Sequence, residues 1–137
     1  MKRHYLFTLS SNYNRYLSDL QGVYFQCEWG SITDGYIHIK QGYSWDGCTC
    51  AINTKRTYNA CLIHDFLCQF NPIPKEQADE LFLYLLEYDH FQFSYIYYFC
   101  VKIYHWTKKT IKKMVIFVSI IVSVLSLLSI IYILLMK

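Results

Sequence analysis

At 137 residues, 54% of them hydrophobic, the chain has room for one small domain and excludes a multidomain assembly. Its formal charge of +3 is placed unevenly, with four lysines crowded between Lys108 and Lys113, where they can meet anionic headgroups; no nucleic-acid partner is expected. Six cysteines (Cys27, Cys48, Cys50, Cys61, Cys68 and Cys100) would suit a disulfide framework in a secreted protein, but no signal peptide is recognisable, so reduced thiols are expected, with a disulfide or metal role left open.

Between Gly22 and Gly47, the stretches "VYFQCEW" and "YIHIK" alternate aromatic and β-branched residues. With the turn residues of "GSITDG" between them, they predict a β-hairpin or meander. The following "QGYSWDGCTCAINTK" has no period and reads as a loop. Thr57 is placed to cap a helix of about three turns that Asn71 and Pro72 stop near Phe70. Pro74 opens a second helix running to about Tyr88, and the aromatic stretch from Phe91 to Trp106 predicts a third.

From Val115 to Met136 the sequence carries no charge, Pro or Gly. As a helix it reaches about 33 Å, enough for a hydrocarbon core of ~30 Å. The expectation is therefore an α+β fold, a small β-hairpin or meander followed by two or three packed helices, with a C-terminal transmembrane helix. The segments are residues 1–107 as the domain, with a core at about 22–106, residues 108–114 as a basic collar, and residues 115–136 as the span. By the positive-inside rule this is a single-pass membrane protein whose N-terminal domain is cytoplasmic.

The chemistry concentrates in the first predicted helix. Cys61, His64, Asp65 and Cys68 are spaced i, i+3, i+4 and i+7 and share one face. In the second helix Asp79 lies on the apolar stripe of Phe82 and Leu86. A carboxylate there is costly unless paired, and His64 is the obvious partner. Pairing fixes the tautomer and raises the basicity of the other ring nitrogen, as a general base requires. A purely structural His–Asp bond between two helices is the alternative. Asp65, displaced by about 100° around the helix, points at a different neighbour, for which the "GYSWDGCTC" loop is well placed. Asp65, Asp46 and the Gly47 backbone would offer oxygen ligands to a hard cation such as Ca²⁺, although an Asp before a Gly is also an ordinary turn residue. A third set, Cys48, Cys50, Cys61, His64 and Cys68, offers soft ligands for Zn²⁺ at a spacing that matches no standard zinc module.

The segments "GYSWDGCT", "ACLIHDFLC", "KEQADELF" and "SYIYYFCVKIYHW" together resemble the phage and bacterial family called domain of unknown function thirteen-fifty-three, over roughly Gly22 to Trp106. The helix pair is also similar to that of secreted phospholipase A2 and of the parvovirus capsid phospholipase, whose helices read HDxAY and ADxxF. That resemblance implies His64 as the base activating water, Asp65 as a calcium ligand and Asp79 as the carboxylate orienting His64. Two departures stand out: Cys68 occupies a position where Tyr is usual, and the glycine-rich calcium loop is only partial.

The functional expectation is a membrane-anchored, calcium-dependent hydrolase of phospholipid esters, of viral or prophage type, acting on the lipid membrane. A noncatalytic scaffold or interaction protein built on the same helix pair is the alternative, and a Cys/His zinc site a further one.

Overall fold

The computed structural model of the chain describes residues 7–47 and 54–135. Two compact units divide it, Met1–Val101 and Lys102–Lys137. The first is α+β. Its strands are β1 (Phe7–Thr8), β2 (Tyr13–Tyr16), β3 (Tyr24–Cys27), β4 (Gly30–Thr33), β5 (Tyr36–Ile39) and β6 (Ser44–Trp45), followed by helices α1 (Tyr58–Phe70) and α2 (Lys75–Tyr88). Helix α3 runs from Ser94 to Leu135.

Four strands form an antiparallel sheet in the order β2-β5-β4-β3, and β1 pairs with β6 in a separate two-stranded ribbon. The meander therefore has one strand more than its alternation suggested, because "GSIT" is itself β4 and only Asp34 and Gly35 make the following turn. Both turn residues have positive φ, 46° and 89°, the condition of a tight two-residue hairpin whose twist suits the flanking strands. Register then decides what faces inward. Ile32 pairs with Ile37 and Gly30 with Ile39, and all four are buried, while the rings of the partnered Tyr16 and Tyr36 meet at a tilt on the outer face.

Helix α1 lies between this sheet and α2. Phe66 meets the Phe25 ring edge-on with centroids 6.4 Å apart, and a Cβ added to Gly30 would sit 2.2 Å from the His38 carbonyl oxygen and 3.1 Å from the Phe66 ring. Glycine at that position is what lets the helix and the neighbouring strand approach so closely. On its other side α1 packs against α2, whose Ala78, Leu81, Phe82, Leu85 and Leu86 are buried. Burying a ring such as Phe66 completely contributes about 1.5–3 kcal/mol. Asn71 ends α1 in the left-handed region at φ 52°, its N–H bonded to the Leu67 carbonyl. The Thr57 hydroxyl does not cap the helix; it accepts instead from the Thr54 N–H at 2.8 Å.

Strands begin well before Gly22. Leu9, Leu17 and Leu20 are all buried, so the N-terminal segment supplies part of the core. The stretch expected to be an aperiodic loop contains β6, whose Trp45 and the Tyr43 just before the strand are both buried.

The C-terminal expectation needs correction. Among the described residues, no helix is long and apolar enough to cross a membrane. The transmembrane helix is therefore not part of the fold as described, and the single-pass membrane localisation with a cytoplasmic N-terminal domain, which rested on it, falls with it. Within the second unit the Lys108 ammonium lies 4.4 Å from the centre of the Tyr104 ring, so part of the basic collar is engaged along its own helix.

Candidate functional site

The helical phase of α1 puts His64 on the side that meets α2. Its Nε2 lies 2.8 Å from Asp79 Oδ1, and the residues are 9% and 3% exposed. Asp79 reaches that position because it shares the inward stripe of α2 with Phe82 and Leu86, one turn and two turns further on. A carboxylate accepts and cannot donate, so the imidazole proton sits on Nε2 and the basic lone pair of neutral His64 on Nδ1. The Phe82 ring packs against the imidazole with centroids 4.7 Å apart, holding its plane.

Cys68, one turn after His64, brings its Sγ to 3.5 Å from the same Nε2. It is a free, half-buried thiol. Burial first, and the Asp79 charge second, push it from the ordinary 9.0 up to about 12, with Asp65 adding to the rise and Lys75 opposing it. At neutral pH it is an uncharged S–H and no nucleophile.

Asp65 points elsewhere. The Tyr43 hydroxyl donates to Asp65 Oδ2 at 2.7 Å, and Gln69 Oε1 lies 3.2 Å from the same hydroxyl. Tyr43 is 1% exposed and stacks on Trp45 at 6.1 Å, so the segment around β6 does meet the Asp65 side of α1. Asp46, the next residue after β6, is exposed, and Gly47 is buried with φ 91°. A calcium ion takes six to eight oxygens. One Asp65 oxygen is already engaged by Tyr43, and the ligand cluster found among the described residues does not include Asp65 or Asp46. The 48–53 part of the loop lies outside the described residues.

The zinc set is divided differently from its sequence spacing. Cys61 is disulfide-bonded, so at least one cysteine departs from the expected reduced state and offers no thiolate to a metal. Cys48 and Cys50 lie outside the described residues. His64 and Cys68 do come together, but with Asp79 as the third member: one ligand atom from each of the three lies within 4.8 Å of the others.

Two participants escaped the sequence reading. Tyr43 was recoverable from period-2 alternation with Trp45, since a buried phenol needs a partner for its hydroxyl. Gln69, four residues after Asp65, was recoverable from helical spacing.

A family model described as "Protein of unknown function (DUF1353)" matches residues 25–98, a span that opens in β3 and contains all of α1 and α2. No curated protein and no solved structure matches the chain.

Proposed function

The chain belongs to the DUF1353 family of proteins of unknown function, and from that premise we propose that it is a hydrolase of carboxylic esters, with phospholipid as the substrate class and His64 as its general base. The observation that carries the reading is the 2.8 Å bond from His64 Nε2 to Asp79 Oδ1. With Nε2–H held by Asp79, Nδ1 takes a proton from water as the oxygen attacks the ester carbonyl, and the Asp79 carboxylate offsets the positive charge that develops on the ring. The same ring then returns its proton to the departing alkoxide. The assignment of roles and the choice of lipid ester rest on the resemblance of the "HDFLC" and "ADELF" motifs to the phospholipase A2 helices, a resemblance of sequence that no match to a solved structure accompanies. Calcium, when bound near Asp65 and Asp46, would polarise the carbonyl; the roles of His64 and Asp79 do not depend on it.

A second reading has its own observation. The imidazole is clasped by Asp79, Cys68 and Phe82 and is 9% exposed, so the same pair can serve as a polar staple between α1 and α2 in a noncatalytic scaffold.

Fatty-acid release from mixed-acyl phospholipid vesicles by the full chain, with Ca²⁺ or with chelator, separates them. Release that falls at least 100-fold in His64→Ala and substantially in Asp79→Asn supports the base. Release that survives His64→Ala removes it, and no release by wild type under either condition leaves the staple.

A further inference from the structure

Three candidate ligands of different chemistry converge on one point. His64 Nε2 stands 2.8 Å from Asp79 Oδ1 and 3.5 Å from Cys68 Sγ, and all three ligand atoms lie within 4.8 Å of one another. Their supports are rigid: α1 carries the His and the Cys one turn apart, and α2 carries the Asp from a buried position. Imidazole, thiolate and carboxylate form a mixed set that a soft or borderline ion prefers, whereas Ca²⁺ and Mg²⁺ require shells of oxygen.

We propose that His64, Cys68 and Asp79 bind a single soft divalent transition-metal ion, with Zn²⁺ the best match. Tetrahedral zinc with bonds of about 2.0–2.1 Å to nitrogen and oxygen wants those two ligand atoms about 3.3 Å apart. Asp79 Oδ1 therefore has to retreat by roughly half an ångström, within reach of a small side-chain rotation. The separation of Nε2 and Sγ already suits bonds of about 2.1 and 2.3 Å at a near-tetrahedral angle. Cys68, half-buried rather than sealed, gives the ion its way in. Three protein ligands leave a fourth position for solvent.

Coordination has a consequence at the level of the proton. The metal takes the Nε2 lone pair, so the imidazole proton moves to Nδ1, and the Cys68 proton leaves to solvent as its thiolate binds. Nδ1 then has no lone pair to act as a base. The metal-bound and base-competent forms of His64 are mutually exclusive.

Co²⁺ titration of the full chain, purified without reductant, tests the site because Co²⁺ bound to a thiolate shows a sulfur-to-metal charge-transfer band and, in tetrahedral geometry, intense visible bands. One saturable equivalent is expected, displaced by Zn²⁺ and untouched by excess Ca²⁺. The charge-transfer band should vanish in Cys68→Ala and in the closer-sized Cys68→Ser, whose folding is checked by circular dichroism. Asp79→Asn should weaken binding at least tenfold. A wild-type titration without a saturable spectrum, or a band unchanged in both folded Cys68 variants, overturns the proposal. Ester hydrolysis is not the readout, so failure of the hydrolase reading leaves this result standing, and the reverse also holds.

Discussion

The buried pair between α1 and α2 allows a quantitative test. Asp79→Ala leaves the His64 Nε2–H facing a 3%-exposed position with no carboxylate, and His64→Ala leaves a buried carboxylate without that donor. Stranding a buried polar group costs about 1–3 kcal/mol, and more when it is charged. A hydrogen bond to a charged group contributes about 1.5–3 kcal/mol. Each single variant is therefore expected to lose about 2–4 kcal/mol, with His64→Ala also losing its ring contact with Phe82. Because both residues contact other groups, the pair is isolated by the double-mutant cycle: His64→Ala with Asp79→Ala should be more stable than the sum of the singles by about 1.5–3 kcal/mol. Asp79→Asn should lose less than Asp79→Ala, since the amide oxygen still accepts from Nε2. Urea unfolding of the full chain at pH 7 with chelator present, followed by intrinsic fluorescence, gives these values. A coupling energy below about 0.5 kcal/mol would refute the bond as an energetic link between the helices.

Three other outcomes follow from the geometry. Tyr43→Phe removes the hydroxyl that donates to Asp65 and should lower stability by about 1–2 kcal/mol in the same urea assay, a charge-assisted bond being the one lost. Gly30→Ala drives a Cβ to 2.2 Å from the His38 carbonyl, backbone that cannot swing aside, and should cost about 3 kcal/mol or more, read as a large fall in thermal midpoint. For Cys68 the folded thiol keeps its proton to about pH 12 while the unfolded one loses it near 9, so the unfolded state binds fewer protons between those values. Stability should fall as pH rises from 9 to 12 in chelator, more steeply in wild type than in Cys68→Ala; equal slopes would contradict the burial of that thiol.

Much of the helical part was legible because its signals are local. Asn71 ends one helix and Pro74 begins the next by backbone geometry alone, and the 3.6-residue period places His64 toward α2 and Asp79 on the stripe that answers it. The sheet was legible only in outline. Ser31, Ile32 and Thr33 have one strongly apolar side chain among them, so the segment resembles a turn until pairing on both sides with β3 and β5 makes it a central strand. β6 is two residues long, too short for any period, and exists because β1, distant in sequence, supplies its partner. The expected span over 115–136 rested on hydropathy summed along the chain, and among the described residues that sum is not reached within one helix.

What the sequence by itself determined is the set of chemical groups and their phase: an imidazole, two carboxylates and a thiol at helical spacing, bounded by residues that start and stop helices. Which of them meet was decided by tertiary packing. Gly30 lets α1 settle close to the sheet, Tyr43 captures Asp65, and α2 brings Asp79 to His64, leaving Cys68 at the same nitrogen. The reason is physical. Phase along one helix follows from 3.6 residues per turn, whereas the distance between groups on different elements depends on how side chains far apart in sequence fill the space between them.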